Sequence, residues 1–250
     1  MNPSRRNASL SSQLKISAAA IMLGLGLPAS ADVLSPYTAV YEVNRGNIML
    51  GDTTFNLNKQ DGGCYLLEGV AEPKGIAAMF AGKMKESSHF CLENGRIRPR
   101  QYHVEKEKGD EDDNYTLKFD WGNKLVRTNN DKPRELPTDG LDRTVMEIAM
   151  RRLLAQAGND LPSSPFIFLM VEDDEIKPYR FQITGQEKVA TPVGRFDTVK
   201  VERVNAGKRE FRLWLAPALD YLPVKVERQK KGDDPIRMTL RELPKSPASQ

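Results

Sequence analysis

The side chains from which a catalytic or metal site could be built are few: two histidines, two cysteines and a scatter of carboxylates in 250 residues. Ser87 and Ser88 adjoin His89, as a serine nucleophile would require of its base. Neighbours on a strand point to opposite faces, however, and no G-x-S-x-G elbow is present. His89 and Cys91 are spaced to share a strand face, yet no carboxylate or second histidine completes a metal-ligand pattern. The acid pairs Asp112-Asp113 and Asp173-Asp174 lie in charge-rich loops. A glycosidase would need two acids about 5–10 Å apart in space, which spacing along the chain does not give. The runs 110–113 and Glu172–Glu175 do not match the EF-hand loop. There is no phosphate-cradling glycine loop and no dinucleotide fingerprint. These residues predict a non-enzyme that holds neither metal nor cofactor.

The N-terminus sets the expected compartment. Arg5, Arg6 and Lys15 precede an apolar run from Ile16 to Leu27, followed by Pro28 and Ala29-Ser30-Ala31. A basic start, a short apolar run and a small-x-small triplet predict a signal peptide over 1–31, cleaved after Ala31, and a periplasmic protein. The apolar run falls short of the roughly 20 residues that span a bilayer, and no later run reaches that length. The chain carries 37 basic and 34 acidic residues; removing the signal leaves 34 of each. The basicity therefore belongs to targeting, and nucleic acid is not an expected partner. Cys64 and Cys91 are an even pair in an oxidising compartment, which favours one disulfide over two buried thiols. They approach each other if their strands pair around residues 73–83.

The elements that would carry these residues are mainly β. Tyr37, Ala39, Tyr41 and Val43 alternate with polar neighbours. So do Tyr115, Leu117 and Phe119; Val199 and Val201; Phe211, Leu213 and Leu215; and Val224 and Val226. Period-two alternation marks strands with one dry face. Gly46-Asn47, Asp61-Gly62-Gly63, Asn94-Gly95 and Trp121-Gly122-Asn123 are turn signals between them. Gly51 is a candidate bulge or bend. About a dozen short strands at close spacing predict an antiparallel, strongly curved sheet, a barrel or half-barrel. Phe166–Val171 is nearly continuous in apolar residues and is expected to be buried on both sides.

One long amphipathic helix interrupts the pattern. Met146, Ala149, Met150, Leu153, Leu154 and Ala157 fall on one face, with Thr138 or Asp139 as cap and Gly158 as stop. Arg143, Glu147 and Arg151 are expected on its wet side. A shorter apolar stretch, Gly75 to Gly82, places Ile76, Met79 and Phe80 at helical spacing. It reads as a lid helix packed on one end of the sheet, or as an apolar flap over a ligand cavity. The chain thus divides into a signal (1–31), a single β-rich domain (32–243) and a flexible tail (244–250).

The segments TAVYEVNRGNIMLGD, the SSHF strand leading to GRIRPRQY, TPVGRFDTVKVERV and FRLWLAPALDYLPVKVER resemble the domain-of-unknown-function 3108 family of exported bacterial proteins. The matching positions are Gly194, Trp214, Ala216-Pro217, Leu222-Pro223 and the spacing of Ser88, Phe90, Pro99 and Tyr102. The resemblance implies no activity. The layout also resembles, at the level of fold alone, the lipoprotein-carrier half-barrels of the periplasm. The functional expectation is a protein that binds an apolar or amphipathic envelope molecule, a lipid foremost. Ile76, Met79 and Phe80 would form the lid, and Phe211 and Trp214 the wall. The alternatives are an envelope-assembly module, docking a protein partner on a sheet edge or on the Leu141–Ala157 helix, and a polysaccharide hydrolase.

Overall fold

The computed structural model describes residues 33–109, 113–129 and 131–245. The expected signal peptide, three acids of the 110–113 loop and residues 246–250 lie outside them. The described residues form fifteen strands: β1 (Tyr37–Arg45), β2 (Ile48–Lys59), β3 (Cys64–Pro73), β4 (Met84–Glu93), β5 (Arg96–Lys106), β6 (Tyr115–Asp120), β7 (Leu125–Thr128), β8 (Arg134–Glu135), β9 (Gly140–Leu141), β10 (Phe166–Val171), β11 (Ile176–Thr191), β12 (Gly194–Val204), β13 (Arg209–Ala216), β14 (Leu222–Lys230) and β15 (Ile236–Lys245). Two α-helices accompany them, α1 (Ala77–Phe80) and α2 (Val145–Ala157). None of the helices is long and apolar enough to cross a membrane.

All fifteen strands belong to one sheet. Its order runs from β8 down to β1, then across to β15 and down to β9. Two meanders are therefore joined where β1 pairs antiparallel with β15, Tyr41 opposite Leu240. The single parallel contact is β9 on β10. Gly51 sits where the register of β1 on β2 shifts, and a Cβ there would stand 2.1 Å from the Glu72 carbonyl oxygen. Only glycine permits that approach, so the expected bend is present. β15 runs on to Lys245, opposite Thr38, past the point where a tail was expected. In β10 only Met170 and Val171 are buried, and Ile167 is exposed. This strand lies beside the two-residue edge strand β9, so one of its faces has little sheet or helix to cover it.

The sheet does not close. Its edges β8 and β9 are successive in the chain but not paired with each other. Side chains cross the seam instead: Arg134 Nη2 donates to the carbonyls of Glu172 and Asp173 at 2.7 and 2.9 Å, and Thr128 Oγ1 also donates to Asp173.

The core lies between the curved sheet and α2. Val145 and Ile148 pack with Tyr37, Ala39, Leu57, Leu67 and Phe90 from one meander and Leu222, Val224 and Leu240 from the other. Met146, Met150 and Leu154 pack with Phe181, Val199, Val201, Leu213 and Leu215. The helix is inserted into the curve and has no wholly wet side, which corrects the amphipathic expectation. Arg151, placed on the wet face by periodicity, is buried. The cap is also one turn later than expected. Asp142 Oδ1 accepts from the backbone N–H of Thr144 and Val145 at 2.9 and 3.0 Å, satisfying two first-turn donors. Thr138 and Asp139 lie too far back along the chain to do so.

Since α2 is packed on several sides, its apolar residues should behave as core rather than as a removable surface helix. Ile148→Ala is expected to cost about 2–5 kcal/mol in urea unfolding. Gln156→Ala, on the exposed part of the same helix, should cost less than about 0.5 kcal/mol.

Candidate functional site: the mouth of the curved sheet

Cross-strand partners share a face, so register shows which side chains point inward with α2. Along β1 the inward residues Tyr37, Ala39 and Tyr41 are buried, Val43 is half-buried and Arg45 is exposed. β14 repeats this: Val224 and Val226 are buried and Arg228 is exposed. On β15, Leu240 is buried, Met238 half-buried and Ile236 exposed. On β4, Phe90 and Ser88 are buried, while Glu86 and Met84 are half-buried. The helix begins at the level of Ser88 and fills the curve in the direction away from Arg45 and Arg228. Toward those residues the inner face is left open as a mouth.

Arginines converge there. Phe211 pairs with Arg228, Arg228 with Ile236, and Ile236 with Arg45. Arg203 pairs with Phe181, and Arg143 comes from the chain just before α2. Arg228 lies over the Phe211 ring at 5.2 Å, and Arg203 over the Tyr179 ring at 3.3 Å. Arg143 donates to Glu86. Among the described residues no carboxylate forms an ion pair with Arg45, Arg203 or Arg228. Three arginines on the outer face of neighbouring strands are held differently. Arg212 pairs with Glu227 at 2.7 Å, Arg237 with Glu227 at 3.2 Å and Arg241 with Asp52 at 2.7 Å. Burial pulls the guanidinium of Arg228 below its ordinary value. Burial first, and then Arg228, pulls Arg143 down to about 10. Both side chains touch solvent, so the desolvation reflects protein surrounding them on most sides, with water reaching them through the opening. Uncompensated, partly desolvated guanidiniums flanked by aromatic rings are suited to an anionic group attached to an apolar body.

Below the mouth lies a buried polar cluster. Ser88 Oγ donates to Asp142 Oδ2 at 2.6 Å, and both residues are fully buried. Ser88 is paired with Tyr102, and Phe90 with Pro99. The four residues whose spacing carried the family resemblance therefore meet across one β4–β5 ladder. The Tyr102 hydroxyl has no partner at hydrogen-bond length, and burial drives it well above its ordinary value. Burial pushes the Asp142 carboxyl up to about 6; the bonds from Ser88 and from the N–H groups of Val145 and Thr144 pull the other way. A serine bonded directly to a carboxylate lacks the base a triad needs. His89 and His103, adjacent to Ser88 and Tyr102 along their strands, face outward, and His103 Nδ1 is 2.9 Å from Thr116 Oγ1. The Ser88–Asp142 pair is an anchor for α2.

The residues anticipated from sequence fall in different places. Phe211 is on the inner face at the mouth. Trp214 is not: it alternates with Leu213 and Leu215 and lies outside, with Lys225 and Lys200 over its ring at 3.9 and 5.4 Å and Nε1 donating to Glu187. The far end of β11 folds over it. Phe211 and Trp214 thus do not wall one cavity. Ile76, Met79 and Phe80 sit on the rim, between β3 and β4, and are 72 %, 72 % and 79 % exposed. They are neither packed on the sheet nor closed over the opening. Cys64 and Cys91 face each other in register and form a disulfide. His89 lies close to both sulfurs, which are bonded to each other and so are not available as thiolate ligands. Sequence reasoning missed Arg228, Arg203 and Arg45. The signal was present: each continues an apolar alternation (Val224-x-Val226-x-Arg228, Val199-x-Val201-x-Arg203, Tyr41-x-Val43-x-Arg45) and puts a charge at an inward position.

A one-sheet half-barrel wrapped on a single inserted helix, with an arginine-lined mouth, defines a β-barrel-like scaffold. The chain belongs to the family described as "Protein of unknown function (DUF3108)", whose model matches residues 37–241. Its fold is similar to the β-barrel-like protein of domain of unknown function DUF1849 from Brucella abortus, at 12% identity and a TM-score of 0.53, over 86% of this chain and 99% of that one. The hypothetical lipoprotein YmcC from Escherichia coli (K12) aligns at 12% identity and a TM-score of 0.31, over 90% of this chain and 92% of that one. No curated protein matches the sequence.

The raised carboxyl of Asp142 gives a signed pH dependence. The folded protein holds this proton more tightly than the unfolded chain does. The group's contribution to stability is therefore fully present below about pH 4 and lost as pH rises through about 6. At roughly 1.4 kcal/mol per pKa unit, the span from the ordinary 3.8 to about 6 corresponds to about 3 kcal/mol. Asp142→Asn keeps a capping oxygen and cannot ionise. Urea unfolding of both proteins at pH 4 and pH 7.5 should show the variant gaining on the natural protein by up to that amount at the higher pH.

Proposed function

We propose that this is an exported, non-catalytic periplasmic protein that binds an amphipathic envelope molecule, holding its anionic head among Arg143, Arg203 and Arg228. The observation that carries the reading is the contrast across neighbouring strands β12–β15: Arg212 and Arg237 on the outer face are ion-paired with Glu227, whereas Arg203 and Arg228 on the inner face have no carboxylate partner among the described residues. A guanidinium left unpaired in a partly desolvated site is costly unless an anion completes it. The half-buried Val43, Phe55, Met84, Phe211 and Met238 of the inner face offer an apolar body surface beside that head. Export rests on the N-terminal sequence, and the Cys64–Cys91 disulfide is in keeping with an oxidising compartment. The protein purified from its own envelope fraction should release an anionic amphipath on solvent extraction, at close to one per chain by lipid mass spectrometry. Arg228→Glu should lower that occupancy tenfold or more, because it sets a negative charge against the head group. Recovery of folded protein with no amphipath above the level of a control periplasmic protein would defeat the reading. The natural protein's mature N-terminus, read by Edman sequencing, should be Asp32.

A second reading, an interaction module in envelope assembly, is favoured by the exposed Ile76, Met79 and Phe80 on the rim. The other docking element, the helix, is reduced to the partly exposed side carrying Arg152 and Gln156, since the rest of α2 packs against the sheet. If it holds, Phe80→Asp should abolish capture of one stoichiometric partner in a cross-linked pull-down while leaving amphipath content unchanged.

A further inference from the structure

Arg151 is 3 % exposed, and it lies on α2 at the end of the sheet opposite the mouth. Its Nε donates to the Asp220 carbonyl at 3.2 Å, and its guanidinium lies over the Tyr37 ring at 5.0 Å. Nη1 is buried and has no partner, and among the described residues no carboxylate forms an ion pair with the side chain. Glu147, one helical turn earlier, is close enough to feel its charge but does not pair with it. Arg151 lines a pocket of about 220 Å³ together with Pro36, Tyr37, Leu219, Asp220, Leu222 and Lys245. The backbone is specialised at the same place. Asp220 and Tyr221 are consecutive non-glycine residues in the left-handed region, at φ of +52° and +57°. That conformation is uncommon and persists where surroundings enforce it. Here it turns the Asp220 carbonyl onto Arg151 and returns the chain through Tyr221 N–H to the Ala216 carbonyl at 2.9 Å. Tyr41 Oη, in the wall behind, donates to the Pro223 carbonyl at 2.9 Å and holds the next strand in place. The guanidinium is thereby fixed on one edge and left without a partner at Nη1.

We propose that this pocket is a second, separate binding site, for a carboxylate carried on a small apolar group. A charge of one fits better than two. The field of Arg151 is partly offset by Glu147 and by Asp220 in the pocket lining, and the second cation, Lys245, is held by Glu242 at 2.9 Å. Leu219, Leu222 and Pro36 supply an apolar floor, and a pocket of this volume admits a branched group of a few carbons. The carboxylate can come from a free short-chain acid or from the C-terminus of a peptide; both present the same planar oxyanion to a guanidinium edge. The site is independent of what the mouth binds.

The test is a thermal unfolding series of the full mature protein at constant ionic strength with sodium isobutyrate, N-acetylvaline, N-acetylvalinamide, phosphate or chloride. A specific site raises Tm saturably, by roughly 5–10 °C at a hundred times Kd for a chain of this size. Isobutyrate alone among the carboxylates identifies the free-acid source; N-acetylvaline binding more tightly identifies the peptide terminus. The amide and chloride should give no shift. Ala218→Trp, at an exposed position on the pocket's rim, fills the opening without touching Arg151 and should abolish the carboxylate shift. Arg151→Gln should do the same if it folds. Shifts no larger than chloride gives, a shift retained in Ala218→Trp, or one equalled by phosphate would each overturn the assignment. Arg228→Glu, which tests the mouth, should leave these shifts unchanged.

Discussion

The hydrogen bond from Ser88 to Asp142 is the constraint on which the rest of the structure depends. Asp142 caps α2 with one carboxylate oxygen and accepts from β4 with the other. One side chain thus ends the seam-crossing loop, starts the helix and fixes its height within the sheet. A fifteen-stranded sheet that does not close needs something to fill its curve. The inserted helix does this from Ser88 downward, and the same bond decides where the filling stops. The open mouth above is the complement of that choice.

The cost of the arrangement is a buried acid. Two backbone donors and a hydroxyl favour its charged form, and complete burial opposes them; burial prevails, since its carboxyl rises to about 6. Between about pH 4 and pH 6 the anchor therefore holds a proton that the unfolded chain would release. The neighbouring Tyr102 hydroxyl, buried without a partner at hydrogen-bond length, belongs to the same compromise. Buried polar groups at this density specify one position for the helix, because any shift along its axis would strand a charge or a donor in the apolar core.

The arginines show how a single sheet separates two jobs. On its outer face, Arg212, Arg237 and Arg241 sit in ion pairs with Glu227 and Asp52, which keeps that face soluble and structurally neutral. On its inner face near the mouth, Arg203 and Arg228 rest on aromatic rings instead. Stacking orients a guanidinium without neutralising it, so the charge stays available to a ligand. The Arg151 pocket uses a third device, a carbonyl presented by two strained residues. In each case the partner of the arginine determines whether its charge is neutralised within the fold.

Alternation and turn chemistry, which act over two to four residues, were enough for the sequence by itself to determine a mainly β, antiparallel, curved architecture and the bend at Gly51; helical periodicity marked a helix ending at Gly158 but started it about four residues early, and the family was legible only through the resemblance of whole segments. The disulfide was readable as far as the two flanking strands could be paired. Tertiary structure alone decided which side of each element was dry. Periodicity assumes that a helix has a wet face, and it fails for Arg151 because the sheet wraps that face too. It assigned Trp214 to a wall because it cannot know that the end of β11 folds over the outside. The charges ending three inward-facing alternations were visible as residues, but their meaning was not. Arg45, Arg203 and Arg228 are far apart in the chain, and only the curvature of the sheet brings them to one mouth.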